Sequence, residues 1–381
     1  MILLAAALLG GPAWAGSLIV SIGPETLIDV DRSGNWGRVY PAEDGVSWDL
    51  FIASGGDYLR YPMDADFVPD LTRGQALTGR TDLVDHSITR CPDGSWLHVS
   101  SSTTLLPDDT AWAFRYDADF TRTAEVQLYA AEPTQVHRDM PLLCTETFAA
   151  TGFFDPENRL PFRLVELDDA AQPVRVDEPD FGAVATGSVL MDLDGALGIA
   201  SFPGVEVDYL HVSEFSLPGL DLIDRHLQDV SPPGEKAYWS QGFARVGDRY
   251  VLAYMSRDET AGFASHDGNV WLGVFNLDWR LIERVPITTN VAPLGGMQPW
   301  ITFRDDTIVL TYTKDLRTYR YDIVVDRVEA GLDPAPEAGA RRAADTSDVS
   351  VDTWADSRGG CAGAALLLMA PVGLLGRRRR G

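Results

Sequence analysis

Residues 85–100 read Asp85-His86-Ser87-Ile88-Thr89-Arg90-Cys91-Pro92-Asp93-Gly94-Ser95-Trp96-Leu97-His98-Val99-Ser100. Two β-rich runs flank a Pro-Asp-Gly turn. Glycine takes a positive φ without a Cβ clash, so Asp-Gly between such runs predicts a hairpin. The same grammar returns along the chain. Arg38–Gly45 leads into Trp48–Ile52, Met140–Glu146 into Phe148, and Val189–Gly195 into Leu197–Ile199. Gly242–Asp248 then leads into Tyr250–Tyr254, and Trp300–Asp306 into Ile308–Leu310. A spacing of roughly 50 residues marks a repeat architecture.

Each unit continues outward from its hairpin. A third strand ends in an acidic turn: Tyr58–Phe67 matches Trp112–Phe120, with a weaker echo at Trp271–Trp279. Fourth strands follow at Thr123–Leu128 and Leu281–Val285. Four short antiparallel strands per unit of about 50 residues predict an all-β chain built as a β-propeller. Six units fall near 36–80, 81–130, 131–178, 179–230, 231–288 and 289–328. The third and fourth are the least regular, which leaves five or seven blades open. The domain is placed at 17–328, with Leu18–Ile22 as the strand that closes the ring. The best helical stretch is Leu220–Asp229, expected between blades. No Trp-Asp dipeptide ends the blades, and no Ser-x-Asp-x-Gly-x-Thr-Trp box of the sialidase kind is present.

Composition narrows the function. The chain has 381 residues, with 31 Lys and Arg against 56 Asp and Glu, a net charge of −25. Such a surface repels phosphate backbones, which argues against nucleic acid as a partner. Hydrophobic residues at 45% and aromatics at 10% are those of a folded chain.

The two ends carry addresses. Ile2–Leu9 is apolar and Ala13-Trp14-Ala15 fits a signal-peptidase site, so residues 1–15 are expected to be a signal peptide cleaved after Ala15. No Lys or Arg precedes the apolar run. Residues 329–360 are rich in Ala, Pro, Asp, Ser and Thr and are expected to form a disordered linker. It ends at Gly359-Gly360-Cys361, followed by an apolar run to Gly376 and by Arg377–Arg380. This tail, 361–381, resembles the myxobacterial C-terminal sorting signal. The resemblance implies processing near Cys361 and display at the cell surface or outer membrane of a Gram-negative bacterium. Arginines stay cytoplasmic, so a short transmembrane segment here leaves the propeller outside and makes the tail its sole membrane contact.

A propeller gathers the starts of its inner strands around a channel, and ligands sit at one mouth. The residues there are Arg38, Asp85, His86, His137, Arg138, Asp139, Trp239, Gln241, Gln298 and Trp300. This set resembles the active-site layout of the five-bladed arabinanase- and xylosidase-type glycoside hydrolases. That resemblance implies Asp85 and Asp139 as a catalytic pair, since glycoside hydrolysis needs two carboxyl groups at a set separation. The remaining residues would bind ligand. Asp also opens strands as an ordinary turn residue. The leading expectation is therefore an exported propeller that binds a glycan or a surface protein without chemistry; a secreted glycosidase is the alternative, and a structural repeat module of the envelope a third reading.

No two of the six His have zinc spacing on one element, so no metal site is expected from them. Asp29 and Asp31 resemble the start of a calcium loop, but the twelfth position is Tyr40 rather than a carboxylate, and an Asp-rich turn explains them as well. Nothing in the sequence speaks to oligomeric state. Cys91 and Cys144 occupy equivalent positions before neighbouring turns, and Cys361 belongs to the tail. In an oxidising compartment the first two would pair; two buried thiols are the other outcome.

Overall fold

Strands such as Trp48–Ser54 and Trp96–Ser102 are buried along nearly their whole length, on both faces. A sheet buried on both faces must lie between two neighbours, and that is how the blades stack. The computed structural model describes residues 17–30, 34–102, 110–129, 140–153, 163–177, 186–202, 209–258, 268–289, 297–332 and 351–353. The chain opens with β1 (Ile19–Ile22) and β2 (Thr26–Ile28). Blade 1 follows as β3 (Asn35–Pro41), β4 (Trp48–Ser54), β5 (Asp57–Met63) and β6 (Gln75–Ala76), and blade 2 as β7 (Leu83–Arg90), β8 (Trp96–Ser102), β9 (Ala111–Tyr116) and β10 (Arg122–Tyr129). Blade 3 is β11 (Leu142–Cys144), β12 (Ala149–Phe153), β13 (Arg163–Leu167) and β14 (Pro173–Asp177). Blade 4 is β15 (Thr186–Asp192), β16 (Ala196–Phe202), β17 (Tyr209–Ser216) and β18 (Leu222–Asp229). Blade 5 is β19 (Glu235–Val246), β20 (Arg249–Asp258), β21 (Gly268–Asn276) and β22 (Leu281–Pro286). Blade 6 is β23 (Met297–Arg304), β24 (Thr307–Lys314) and β25 (Arg317–Val325). A three-residue strand, β26 (Val351–Thr353), pairs with β11 and β19.

The fold is a six-bladed β-propeller of antiparallel four-stranded sheets. Successive first strands from β7 through β11, β15, β19 and β23 to β3 meet around the ring, and β7 meets blade 1 through β4 and β5. Blade 6 is completed from the other end of the chain: β1 pairs antiparallel with β25, and β2 pairs with β25 beyond it. The N-terminal strand thus closes the ring, the role expected of Leu18–Ile22. Leu18 is buried in the blade 5–6 core, and Asp326 N–H donates to its carbonyl at 2.8 Å.

Six hydrophobic clusters fill the six junctions between blades. Val189, Phe243 and Tyr254 belong to the blade 4–5 cluster, Tyr40, Phe51, Trp96 and Phe114 to blade 1–2, and Cys91, Val99, Leu142 and Val165 to blade 2–3. Burial between blades, rather than one central core, is where the hydrophobic stabilisation resides.

Two segments differ from the sequence expectation. Leu222–Asp229 is a strand, the outermost of blade 4, not a helix. Its two Asp, its His and Ile223 are poor helix formers, and β17 offers a partner edge. Glu329–Leu332, placed in the linker by composition, packs on blades 5 and 6: Ala330 is buried, and its carbonyl accepts from Asp248 N–H at 2.8 Å. Among the described residues the one helical element is the 3-10 turn Leu71–Arg73, and no helix is long and apolar enough to cross a membrane. Residues 1–16 and 354–381, with Ala15 and Cys361, lie outside the described residues.

Candidate functional site

The two faces of the ring are built differently. We label the face where inner strands begin the upper face. The lower face carries the hairpin turns between first and second strands; two-residue turns also lie on the upper face, at Gly55-Gly56 and Asp315-Leu316. After each third strand a side-chain oxygen caps the turn. Asp64 Oδ1 accepts from Asp66 N–H and Val68 N–H, both at 2.9 Å. Asp117 accepts from Asp119 and Thr121, Asp168 from Ala170 and Gln172, and Asn276 from Asp278 and Arg280. The Asx cap lets the next residue but two adopt a left-handed conformation: Phe67, Phe120, Ala171 and Trp279 all have φ between 58° and 64°. Three of these side chains rest on the third strand of the preceding blade. Phe67 lies under Arg320 at 3.7 Å, Phe120 under Arg60 at 3.9 Å, and Trp279 Nε1 donates to Glu214 at 3.0 Å. The acidic turns of the sequence are therefore latches between blades.

At the blade 2–3 junction the turn residue is Ala171, too small for that contact. It shares a cluster with Cys91 and Cys144, the pair singled out in the sequence, which are joined by a disulfide with Cα atoms 5.1 Å apart.

Some register breaks lie beside the lower turns, at Glu166/Leu167, Glu214/Phe215 and Val274/Phe275, but on the inner strands they belong to the upper half. Register breaks occur on β3 between Asn35 and Arg38, on β7 between Leu83 and Asp85, and on β15 between Thr186 and Ser188. They recur twice on β19, at Ala237/Trp239 and Ser240/Gly242, and on β23 between Met297 and Trp300. Each lies near the beginning of an inner strand, except Ser240/Gly242, which is at the middle of β19. Bulges of this kind re-aim side chains and gather beside binding sites. Gln298, within the β23 break, has φ of 56°, and its N–H donates to Met255 Sδ at 3.3 Å. The internal stretches outside the described residues join strand ends on this face, except 333–350, which follows Leu332 at the lower face and leads into β26, where Val351 pairs with Ala244.

The structure brings part of the expected set together. Arg38, Asp85, His86, Gln298 and Trp300 are all buried. Arg38 joins three blades: its guanidinium sits 4.8 Å from the Trp300 ring, and Nη2 donates to Ser87 Oγ at 3.4 Å. Ser101 Oγ donates to Asp85 Oδ2 at 3.4 Å, and Ser100 Oγ donates to the Asp85 carbonyl at 2.7 Å. His137, Arg138 and Asp139 lie outside the described residues, as does Asp31; Trp239 and Gln241 are on β19, with side chains outside the description.

One partner was missed by sequence reading. His98 stands on β8, and its Nε2 is 3.2 Å from His86 Nδ1. The register pairs His86 with Ser100 and Ile88 with His98, which places all four on one face of the hairpin. That signal was available, since the Cys91–Ser95 turn fixes the register. Ser100 Oγ is also 3.1 Å from His86 Nδ1. Because the Ser100 hydroxyl hydrogen goes to the Asp85 carbonyl, its oxygen accepts, which assigns the proton to His86 Nδ1 and leaves His98 Nε2 as acceptor. Tyr58 of blade 1 stacks on His86, ring centroids 4.9 Å apart, and Phe114 stacks on His98 at 5.2 Å. Burial, aided by the Arg38 charge, brings the His86 imidazole down to about 3. Burial also holds His98 well below the usual range, with His86 and Arg38 adding to it, and pushes the Tyr58 phenol up to about 12. Both imidazoles are neutral, and the cluster joins blades 1 and 2 instead of facing solvent. Among the described residues no three His, Cys, Asp or Glu side chains are grouped to hold a metal ion.

No protein-family model matches the chain, and no curated protein matches it. Solved structures do. One is a subtype N10 neuraminidase-like protein of A/little yellow-shouldered bat/Guatemala/060/2010, with 11% identity over 81% of this chain and 99% of that one, and a TM-score of 0.49. Another is a neuraminidase-like protein from A/bat/Guatemala/164/2009, with 11% identity over 79% of this chain and 90% of that one, and a TM-score of 0.48.

Proposed function

We propose that the chain is an exported propeller whose upper face binds a glycan or a surface protein, without turnover. The observation that carries this reading is the contrast between the two faces. The lower face is stitched by repeated Asx turns, whereas the register breaks of the inner strands fall in their upper halves. Binding residues sit on irregular segments held by a rigid scaffold. A disulfide between blades supports passage through an oxidising compartment, as do the features of the two chain ends.

The test is a screen of the purified domain against bacterial polysaccharides and cell-surface extracts. Saturable binding without release of reducing ends is expected. Release of reducing ends that requires Asp85 and Asp139 would overturn the binding-only reading.

A further inference from the structure

The lower end of the blade 2–3 junction holds an arrangement that staple duty alone does not require. Cys91 is only 4% exposed, whereas Cys144 is partly accessible at the end of β11. Beside them stands the guanidinium of Arg115, from β9. Its Nη1 donates to Cys91 Sγ at 3.1 Å and lies 3.7 Å from Cys144 Sγ. Its Nη2 pairs with Asp93 at 3.3 Å, and that carboxylate is 62% exposed. A neutral disulfide gains little from a nearly buried cation, but a thiolate gains a charge-assisted hydrogen bond. The cation is thus placed for the product of disulfide cleavage.

We propose that Cys91–Cys144 is an exchange-active site for small thiols, with Cys144 attacked and Cys91 leaving as a thiolate against Arg115. The thiolate of a low-molecular-weight thiol attacks Cys144 Sγ in line with the S–S bond. A bond forms between the incoming sulfur and Cys144, the Cys91–Cys144 bond breaks, and its electron pair stays on Cys91. A second thiolate attacks the sulfur of the first, releasing the oxidised small disulfide and a Cys144 thiolate. Two electrons pass from two thiols to the protein. Leaving-group stability governs the rate of such exchange, and approach of the nucleophile selects the sulfur. The opened state frees a crosslink spanning 53 residues while leaving the apolar blade 2–3 cluster in place. This site is independent of whatever the upper face binds.

The experiment exposes the full oxidised chain to glutathione at pH 7.5, quenches by alkylation and maps adducts by mass spectrometry. The mixed disulfide is expected on Cys144. Arg115→Met should slow opening roughly fivefold, by loss of leaving-group stabilisation. Asp93→Asn should hasten it, because Arg115 loses its competing carboxylate while the Asn side-chain oxygen still accepts from Ser95 N–H. A thermal melt of oxidised Asp93→Asn that matches the wild type separates this from mere destabilisation. Adduct on Cys91, or an Asp93→Asn rate no faster than wild type, would overturn the proposal even if Arg115→Met failed to fold.

Discussion

The imidazole pair between blades 1 and 2 makes stability depend on pH in a calculable way. His86 has an ordinary value of 6.5 and a folded value of about 3. A base whose folded value is depressed stays neutral in the folded state while the unfolded chain takes up a proton. Its contribution is therefore fully present above about pH 6.5 and is lost as pH falls toward 3. At pH 4.5 the unfolded His86 has gained its proton and the folded one has not. That difference of 2 pH units costs about 3 kcal/mol on linkage grounds. His98, held low by the same burial and by His86 and Arg38, adds to the loss. Tyr58, Ser100 and Phe114 offer no negative charge that would favour an imidazolium. The assay is urea unfolding at pH 7.5 and pH 4.5 for the wild type and for His86→Phe/His98→Leu. Carboxylate titrations are common to both, so the difference isolates the pair. The variant should lose about 3 kcal/mol less than the wild type, or smaller still in its loss if His98 contributes fully. Equal losses would refute the assignment of two neutral, buried imidazoles.

Other outcomes follow from the same packing. Gly242→Ala would set a Cβ 2.7 Å from Ile301 N and 3.1 Å from the Trp300 carbonyl carbon, backbone atoms that cannot turn aside, so a loss of at least about 2 kcal/mol is expected in thermal or urea unfolding. Asp117→Ala removes the acceptor for Asp119 and Thr121 and should cost about 1 kcal/mol, whereas Asp117→Asn should cost less. Removal of Ser17–Ile22 leaves β25 with an open edge, and hydrogen exchange should rise first in β24 and β25 rather than in blades 2 to 4. Replacing both Cys91 and Cys144 by Ser reopens a 53-residue loop and should cost about 4 kcal/mol in the chain-entropy picture.

How much of this was legible in sequence depends on the range of the interaction. Turns are local, so Pro92-Asp93-Gly94 and the repeated Asp-x-x-Phe segments announced hairpins and a repeat of about six units, with five or seven still open. The same turns fix register, so the His86–His98 contact is encoded in the spacing of the hairpin. The aromatic latches were not legible. That Phe120 meets Arg60, or Trp279 meets Glu214, depends on how one blade leans on the next, and no local pattern encodes it. Leu222–Asp229 illustrates the converse. Its short polar run lacks clear alternation, and only pairing with β17 makes it a strand. The channel-mouth set was half legible: strand starts placed Arg38, Asp85, His86 and Trp300 correctly along the chain, but not their burial, which comes from three blades converging on one point.

Recognition through the upper face is tested most directly by comparing variants on opposite faces against whichever polysaccharide or surface extract the wild type binds. Trp239→Ala/Gln241→Ala alters the bulged start of β19, and Asp119→Asn/Asp194→Asn alters exposed lower turns while keeping the fold. Equilibrium binding should weaken roughly tenfold or more for the upper pair, the scale expected when a contact residue is truncated, and stay unchanged for the lower pair. Loss confined to the lower-face variant, or binding indifferent to both, would contradict an upper-face site.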